Sequence, residues 1–546
     1  MELMYTVGIE KYFGKNAKQE EMVCLIIPNN SSIIRKGDLM LHDYLEKSIR
    51  NKLNILYVIH TRNEITSREL SEILHLSMTG INMLVSEINT EIGSHAEIIS
   101  TMSNLSIFYK KKNDITTLVH IICRNSNVLM CMKFYITNKN NGPFSNFYDK
   151  NFLSPANAYR IRQSCIEYLK SIDLDIEKNT ICGDEYRIRF LIALLYYKYG
   201  VNCCDINEQD ILTIREYVLS TNNTIDMNYL QHMQMEYKYF EALFILSWKR
   251  KQYGVQISKS NQFEKLKEIF IYNEMKMTIK RNLEPNLRIE FSENDYDYLY
   301  LVYCCTNSCL FADKWTKEDI LKVHEVVYSD PLFQNLMQKV EDVLGKEIQS
   351  SHPIRSTFIY FYKKTLRGLC CLIPDEHFYM DAHQKHSTQI LYKILHDIII
   401  KWKSENGLKN AIDRTHIYYL TLQIEFILRK NVAKVPMYVI SDQNAELEVM
   451  QLTMEHYFSP RCTEIKPLLI NAKNISFLYS QKNCIIVLEK KFEDLIKFYM
   501  KENVNKKIIS ITVEKRRGEI QAIDDAIFEY EEVVFNDFLH SMVCHS

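Results

Sequence analysis

The sequence has 546 residues, of which 47% are hydrophobic and 25% charged, and its formal net charge is −1. This length is too great for a single hydrophobic core, and the composition excludes a disordered or fibrous chain. A net charge near zero also excludes a global attraction to nucleic acid or membranes, so any anion-binding surface must be local. Only 13 glycines and 10 prolines interrupt the chain, which predicts long helices and few elaborate loops.

The 15 cysteines are scattered through apolar runs without a CxxC motif, a pattern typical of reduced, buried thiols. The longest uninterrupted apolar run, residues 190–197, is far shorter than the roughly 20 residues that span a bilayer. We therefore expect a cytoplasmic protein without a membrane partner.

Residues 1–40 give mixed signals and are assigned as an N-terminal extension. The stretch "ITSRELSEILHLSMTGINMLVSEIN" then predicts two helices around the turn "HLS". Thr66 or Ser67 can cap the first helix, and the second runs from about Met78 to Glu91. Two β-type runs in "AEIISTMSNLSIFYKKK" predict a hairpin, so residues 41–113 are expected to form a first winged helix-turn-helix.

The same order of elements recurs in residues 114–183. "TTLVHIICRN" and "VLMCMKFYI" predict helices, and "FSNFYDKNFLS" predicts a short helix and a turn that ends at Ser154. The next helix, in "SPANAYRIRQSCIEYLK", stands where a recognition helix would stand. A strand-like "LDIE" and Gly183 follow and predict the wing of a second winged helix-turn-helix.

The two candidate recognition helices differ in charge. Two glutamates and no basic residue give helix 78–91 a charge of −2, whereas three basic residues against Glu167 give helix 157–170 a charge of +2. Because DNA affinity comes largely from phosphate neutralisation, the second unit is predicted to be the main contact. The candidate DNA-binding residues are Asn157, Tyr159, Arg160, Arg162 and Gln163, with Thr79, Asn82, Ser86, Lys110, Lys111 and Lys112 in the first unit. The alternative is that both units are helical hairpins inside an α-helical protein.

Helical periodicity continues almost without interruption from residue 184 to about 425. After Lys434 short β-branched runs such as "VPMYVIS" and "CIIVLE" alternate with helices such as "AELEVMQLTMEHYF". This alternation predicts an open α/β domain with a largely parallel sheet.

The run from "FLSPANAYRIRQSC" to "FLIALLYYKYG" resembles the second winged helix-turn-helix of the Mga/AtxA/RofA-type regulators of Gram-positive bacteria. The resemblance rests on a serine-led recognition helix with a Tyr-Arg pair, Tyr159–Arg160, and on a Gly-x-Glu-x-x-Ile-Arg signature. That signature is formed by Gly183, Glu185, Ile188 and Arg189. The first unit and the stretch "FILSWKRKQYG" are similar to the family more loosely.

The resemblance implies a mainly α, multidomain protein. Two winged units would be followed by two all-helical phosphotransferase-regulation domains (PRDs), residues 184–284 and 285–428. Residues 429–546 would form an α/β domain resembling the EIIB component of sugar phosphotransferase systems. Proteins of that system would phosphorylate PRD histidines, and the candidates here are His232, His324, His352, His383 and His386.

Neither a cofactor nor a metal is expected. The cluster "HFYMDAHQKH" lacks the second matched ligand pair that zinc sites show, and a solvated helix start explains it better. An active EIIB domain carries a phosphoacceptor cysteine after its first strand, but Ser441, Asp442 and Asn444 stand there. We therefore expect no enzyme activity, and a role of this domain in forming a homodimer. The acidic end "AIDDAIFEYEEVVFNDF" could pack on a partner subunit, but we favour a solvated terminal helix.

These features predict a dimeric transcriptional regulator, an activator of virulence or metabolic genes, that binds double-stranded promoter DNA through tandem winged helices and is regulated through its PRDs. Two alternatives stay open. One is an RNA-binding antiterminator, which would need a small β-rich domain at the N-terminus. The other is a protein-interaction module of the PRD class.

Overall fold

The computed structural model describes residues 39–101, 104–110, 114–138, 142–222, 235–306, 310–345, 351–374, 386–430, 434–459, 463–481, 483–499, 506–512 and 517–543. Across these ranges, no helix combines the length and the apolar character that crossing a membrane requires.

The first unit, residues 39–110, packs four helices against a small sheet. Its elements are α1 (Leu41–Tyr44), α2 (Lys47–Arg62), β1 (Ile65–Thr66), α3 (Ser67–Leu74), α4 (Met78–Ile92), β2 (Ala96–Thr101) and β3 (Asn104–Tyr109). The strands are antiparallel in the order β1-β3-β2. Thr66 caps α3 and forms a capping box with Glu69, His75 ends α3 in the left-handed conformation, and Ser77 caps α4. The two helices and the turn predicted from the sequence are confirmed.

The second unit, residues 114–183, also has four helices followed by a hairpin, but its described residues form no strand that corresponds to β1. Its elements are α5 (Ile115–Cys123), α6 (Asn127–Thr137), α7 (Ser145–Lys150), α8 (Pro155–Ser171), β4 (Leu174–Glu177) and β5 (Thr180–Gly183). The hairpin of β4 and β5 turns at Lys178 and Asn179, which both have positive φ, as a two-residue type I′ turn requires. Gly183 also has φ of +131°, and a Cβ there would lie 2.6 Å from Leu174 Cδ2. Taken together, the described residues of 39–183 are mostly helical, unlike the β-rich domain that an antiterminator would need.

The two units are joined by a polar contact and an aromatic contact. Glu46, at the start of α2, accepts hydrogen bonds from Ser126 Oγ (2.7 Å) and the Val128 N–H (3.1 Å) at the start of α6. The ring of Tyr44 lies edge-on to Tyr168 of α8 at 5.5 Å. Both units belong to one continuous apolar core, so their relative position is fixed.

Twelve α-helices follow in the described part of residues 184–430. They are α9 (Glu185–Tyr199), α10 (Glu208–Thr221), α11 (Met235–Lys249), α12 (Asn261–Lys267), α13 (Phe270–Thr278), α14 (Glu284–Leu287), α15 (Glu293–Cys305), α16 (Lys317–Tyr328), α17 (Pro331–Leu344), α18 (His352–Lys364), α19 (His386–Glu405) and α20 (Arg414–Arg429). Helices α9–α15 extend the core of the N-terminal units, which we call the first core. Helices α16–α20 build a separate second core around Trp402.

The family-like signature at the start of α9 is a buried structural site. Glu185 Oε1 accepts hydrogen bonds from Arg189 Nε (3.0 Å) and from Arg250 Nε (2.8 Å). Arg189 is fully buried, and its guanidinium lies 4.6 Å from the centre of the Tyr298 ring. Because buried charges need partners, these residues fasten α9 to α11 and α15.

The C-terminal part is an open parallel sheet with helices on both faces, which confirms the predicted alternation. Its elements are β6 (Val435–Ser441), α21 (Asn444–Tyr457), β7 (Thr463–Leu469), α22 (Ala472–Ser480), β8 (Cys484–Glu489), α23 (Glu493–Tyr499), β9 (Lys506–Ile511) and α24 (Arg517–Val543). The strand order is β7-β6-β8-β9, all parallel. The central strand β8 is almost continuously buried, as expected for a sheet covered on both faces.

The solvated terminal helix expected from the acidic sequence is a wrong interpretation. Ile523 and Ile527 of α24 pack against the sheet, and further along the helix Phe535 and Leu539 enter the second core. Arg429 of α20 holds the helix there, with Nη2 2.6 Å from Glu532 Oε1. The helix therefore docks on its own chain.

Candidate nucleic-acid interface

Helix α8 begins with the signals that the sequence predicted. Ser154 caps it, with Oγ accepting a hydrogen bond from the Asn157 N–H at 3.4 Å, and Pro155 occupies its first position. Proline suits this position because its missing N–H would have no partner within the helix. The positive end of the helix dipole is thus exposed at residues 154–156, next to Phe152, whose side chain is 97% exposed.

One face of α8 is buried and the opposite face is open. The buried face carries Ala158, Ile161, Cys165, Tyr168 and Leu169. The open face carries Ala156, Tyr159, Arg160, Gln163 and Lys170. A helix of this pattern presents polar and basic side chains at 3.6-residue spacing while its apolar stripe holds the fold.

The five candidate DNA-binding residues of the second unit differ in solvent exposure. Arg160 is exposed and its Nη2 donates to Asn157 Oδ1 at 3.0 Å, while Gln163 donates to Glu167 at 3.1 Å. Both are surface contacts that a ligand can replace. Arg162 is half-buried, with its guanidinium 5.3 Å from the centre of the Phe144 ring. Arg160 is therefore the most accessible cation of the set.

The hairpin after α8 carries a residue that the sequence reasoning missed. Lys178 is exposed at the tip of the hairpin, between β4 and β5. A residue of the same unit stabilises the turn, because Asn138 Nδ2 donates a hydrogen bond to the carbonyl of Asn179 at 2.8 Å. Two polar residues between two β-type runs are a signal for such a turn, and this signal could have placed the lysine at its tip.

The exposed face of α4 is polar but uncharged. Thr79, Asn82 and Ser86 are all exposed there, beside Met78 and Met83.

The two glutamates of α4 are directed to its own unit. Lys52 Nζ of α2 lies 2.8 Å from Glu87 Oε2 and 2.6 Å from Glu91 Oε1. Burial alone would lower the pKa of Lys52, but these two hydrogen bonds raise it overall. The charge of −2 counted from the sequence is therefore half neutralised within the unit, by one lysine.

Of the three candidate lysines of the first hairpin, the structure describes only Lys110. Lys110 forms an ion pair with Glu97 at 2.9 Å and donates to the Gly93 carbonyl at 3.1 Å. Its charge is thus partly neutralised. Lys111 and Lys112 lie outside the described residues.

Two of the candidate histidines lie side by side. The rings of His324 in α16 and His352 in α18 are 5.4 Å apart and nearly parallel. Burial lowers the pKa of His324, and the neighbouring His352 and Arg355 lower it further. His232 and His383 lie outside the described residues, and His386 begins α19 without a described side chain.

An acidic cluster bound to a lysine lies at the carboxyl ends of β6 and β8. Carboxylate oxygens of Asp442, Glu446 and Glu489 lie within 4.8 Å of one another, the only such group of possible metal ligands in the described part of the chain. Lys491 Nζ already lies 3.0 Å, 3.3 Å and 3.0 Å from these carboxylates. The chain's own ammonium occupies the position a cation would take, and the surrounding carboxylates repel a phosphoryl group.

Two family models match the chain. The model of the Mga helix-turn-helix domain matches residues 111–196, which include the second unit and most of α9. The model of the M protein trans-acting positive regulator (MGA) PRD domain matches residues 213–398. No curated protein matches the sequence.

Proposed function

The chain belongs to the Mga-like family of PRD-containing transcriptional regulators, and we propose that it binds double-stranded promoter DNA through α8, with the hairpin of β4 and β5 as the wing. The observation that carries this proposal is the open face of α8, which presents Arg160 and Gln163 next to an exposed, positive helix end. Arginine and glutamine side chains can bond phosphates and base edges in the major groove.

The first unit would add a weaker contact of the same kind. Its helix α4 offers Thr79, Asn82 and Ser86 on an uncharged face, which suits base-edge contacts better than phosphate neutralisation. Because Glu46 ties the two units together, α4 and α8 would meet a duplex in a fixed relation. Two modest contacts on one rigid body add through effective concentration.

The finer regulatory features are also proposals. Activation, of virulence or metabolic genes, agrees with the matched PRD model, which is named for a positive regulator. His324 and His352 are accessible candidates for phosphorylation, which would add negative charge between α16 and α18.

We assign dimer formation to the C-terminal EIIB-like domain. Helices α22 and α23 leave large apolar side chains exposed on one face of the sheet, namely Phe477, Tyr479, Leu495 and Phe498. An apolar surface of this kind typically marks an interface. The acidic cluster around Lys491 supports an interaction role over phosphotransfer.

Fluorescence anisotropy of the full chain on random-sequence and host-promoter duplexes at two salt concentrations tests the DNA-binding proposal. We expect Arg160→Ala to weaken binding about tenfold and to reduce the salt slope by about one. Arg162→Ala should act in the same direction but less, because its guanidinium packs on Phe144. Arg124→Ala, an exposed arginine of the same unit outside α8, is the control. Unchanged binding in both α8 variants would contradict the assignment of α8.

A further inference from the structure

The C-terminal end of α8 is held by a distant part of the chain. Asn410, in the loop between α19 and α20, donates through Nδ2 to the Ser171 carbonyl at 3.2 Å and to Asp173 Oδ2 at 3.1 Å. The last carbonyls of a helix have no partner within the helix. Asn410 therefore caps α8 from outside its own unit.

Arg187 of α9 connects the same carboxylate to a second loop. Its Nη2 lies 3.4 Å from Asp173 Oδ2 and donates to the Arg367 carbonyl at 2.7 Å, while Nη1 donates to the Gly368 carbonyl at 3.4 Å. The arginine side chain is only 9% exposed. A guanidinium shared in this way between one carboxylate and two carbonyls fixes their relative position.

Gly368 allows the two loops to touch. Its φ is +65°, and a Cβ at this position would lie 2.3 Å from Asn410 Oδ1. Any side chain there would displace the Asn410 amide from α8. We call the four residues Asp173, Arg187, Gly368 and Asn410 the α8 latch.

Both loops of the α8 latch cross between the two cores. Next to Gly368, Leu369 belongs to the first core and Cys370 to the second. Next to Asn410, Ala411 belongs to the first core and Ile412 to the second. Both loops therefore contact both cores, so a shift of one core relative to the other would act on the groups that hold the end of α8.

We propose that the α8 latch couples the arrangement of the two cores to DNA binding, so that opening it frees the end of α8 and lowers DNA affinity. This inference rests on the proposed DNA-binding role of α8. The physical basis is preorganisation, because a helix held at its end loses less conformational freedom when it docks on DNA. Coupling between sites also requires that DNA binding in turn favours the closed latch.

Two variants open the α8 latch by different routes. Asn410→Ala removes the cap, and Gly368→Ala pushes the Asn410 amide away. The matched control is Gly407→Ala, because Gly407 has φ of +64° and nothing within 4 Å of its added Cβ. The control thus introduces the same backbone strain in the loop that contains Asn410, without touching the latch.

Two measurements on the full chain decide the question. Hydrogen–deuterium exchange without DNA should be faster at residues 169–187 in Asn410→Ala and Gly368→Ala, and unchanged in Gly407→Ala. Anisotropy on the same duplexes should show about fivefold weaker binding for both latch variants, with no further loss in the double variant. A merely structural contact would lower the melting temperature without changing affinity in the folded protein.

The failures of the two proposals are distinguishable. Unchanged exchange at residues 169–187, or faster exchange with unchanged affinity, overturns the coupling. If the unsubstituted chain binds no duplex, the DNA-binding proposal fails and the coupling fails with it. In that case the hydrogen–deuterium exchange measurement still shows whether Asn410 holds the end of α8.

Discussion

The two N-terminal units share their order of elements but hold their exposed helices differently. In the first unit, α4 is fastened from within, because Lys52 of α2 binds Glu87 and Glu91. In the second unit, the end of α8 is fastened by Asn410, which lies 239 positions from Ser171 in the sequence.

This difference separates a helix whose ion pairs lie within its own unit from a helix whose end is held by a distant loop. The ion pairs that hold α4 do not depend directly on a distant loop, whereas the end of a helix held by a distant loop can respond to that loop. The second unit also carries the basic face. The stronger proposed contact is thus the one that the helical part of the chain can influence.

The largest expected effect is a loss of folding stability in acid. It arises at His42, where the first unit meets the helical part of the chain. His42 of α1 has a pKa lowered to about 4, chiefly by burial; the nearby Lys198 and Arg50 lower it further, whereas Asp43 and Asp413 raise it. An unfolded histidine has a pKa of about 6.5, so below that value the unfolded chain binds a proton that the folded chain excludes. The contribution of His42 alone should therefore lower folding stability by up to about 3 kcal/mol between pH 6.5 and 4.

Urea unfolding at pH 7 and pH 4.5 measures this loss. The difference between the two pH values should shrink in His42→Gln and persist in His75→Asn, a change at an exposed histidine in a left-handed conformation that asparagine tolerates. The same difference in all three proteins would show that His42 does not control the attachment of the first unit.

The second largest expected effect is the loss of folding stability in Lys52→Met. The substitution leaves Glu87 and Glu91 next to an apolar group, and breaking a buried ion pair is costly because a charge remains without its partner. Both glutamates are partly exposed, so we expect a loss of about 2 kcal/mol in the free energy of unfolding.

Lys47→Met, an exposed change on the same helix, is the control and should have little effect. If Lys52 acts only on α4, hydrogen exchange at residues 169–187 should not change in Lys52→Met. Equal stability of the two lysine variants would show that the α4 glutamates do not need Lys52.

Local signals allowed the elements of both units to be predicted from the sequence. The Thr66 and Glu69 capping box, the Ser77 cap and the Ser154 cap followed by Pro155 are each encoded within four residues. Helix periodicity then fixed the buried faces.

Long-range partners could not be predicted in the same way. The charge count of α4 missed its pairing with Lys52, 39 positions from Glu91. The acidic composition of the last helix favoured a solvated helix, although its Phe535 and Leu539 pack into a core formed by residues far upstream. The Arg187–Arg367 bond spans 180 positions, and no periodicity encodes a partner at such a distance.

The smallest effects should come from the two matching helix caps. Ser77→Ala removes a 3.1 Å hydrogen bond to the Gly80 N–H, and Ser154→Ala removes a longer one of 3.4 Å to the Asn157 N–H. Loss of a serine cap typically costs about 1 kcal/mol, and we expect Ser154→Ala to cost less than Ser77→Ala, because its bond is longer.

DNA affinity should rank the two cap variants in the opposite order. Helix α8 presents its N-terminal end to the proposed DNA contact, so fraying it in Ser154→Ala should weaken binding about threefold, which corresponds to about 0.7 kcal/mol. Ser77→Ala should change affinity less, because α4 offers only uncharged contacts. Urea unfolding and anisotropy on the same preparations give both rankings. If Ser77→Ala weakened DNA binding more, the first unit would be the principal contact and the comparison of the two units would have to be reversed.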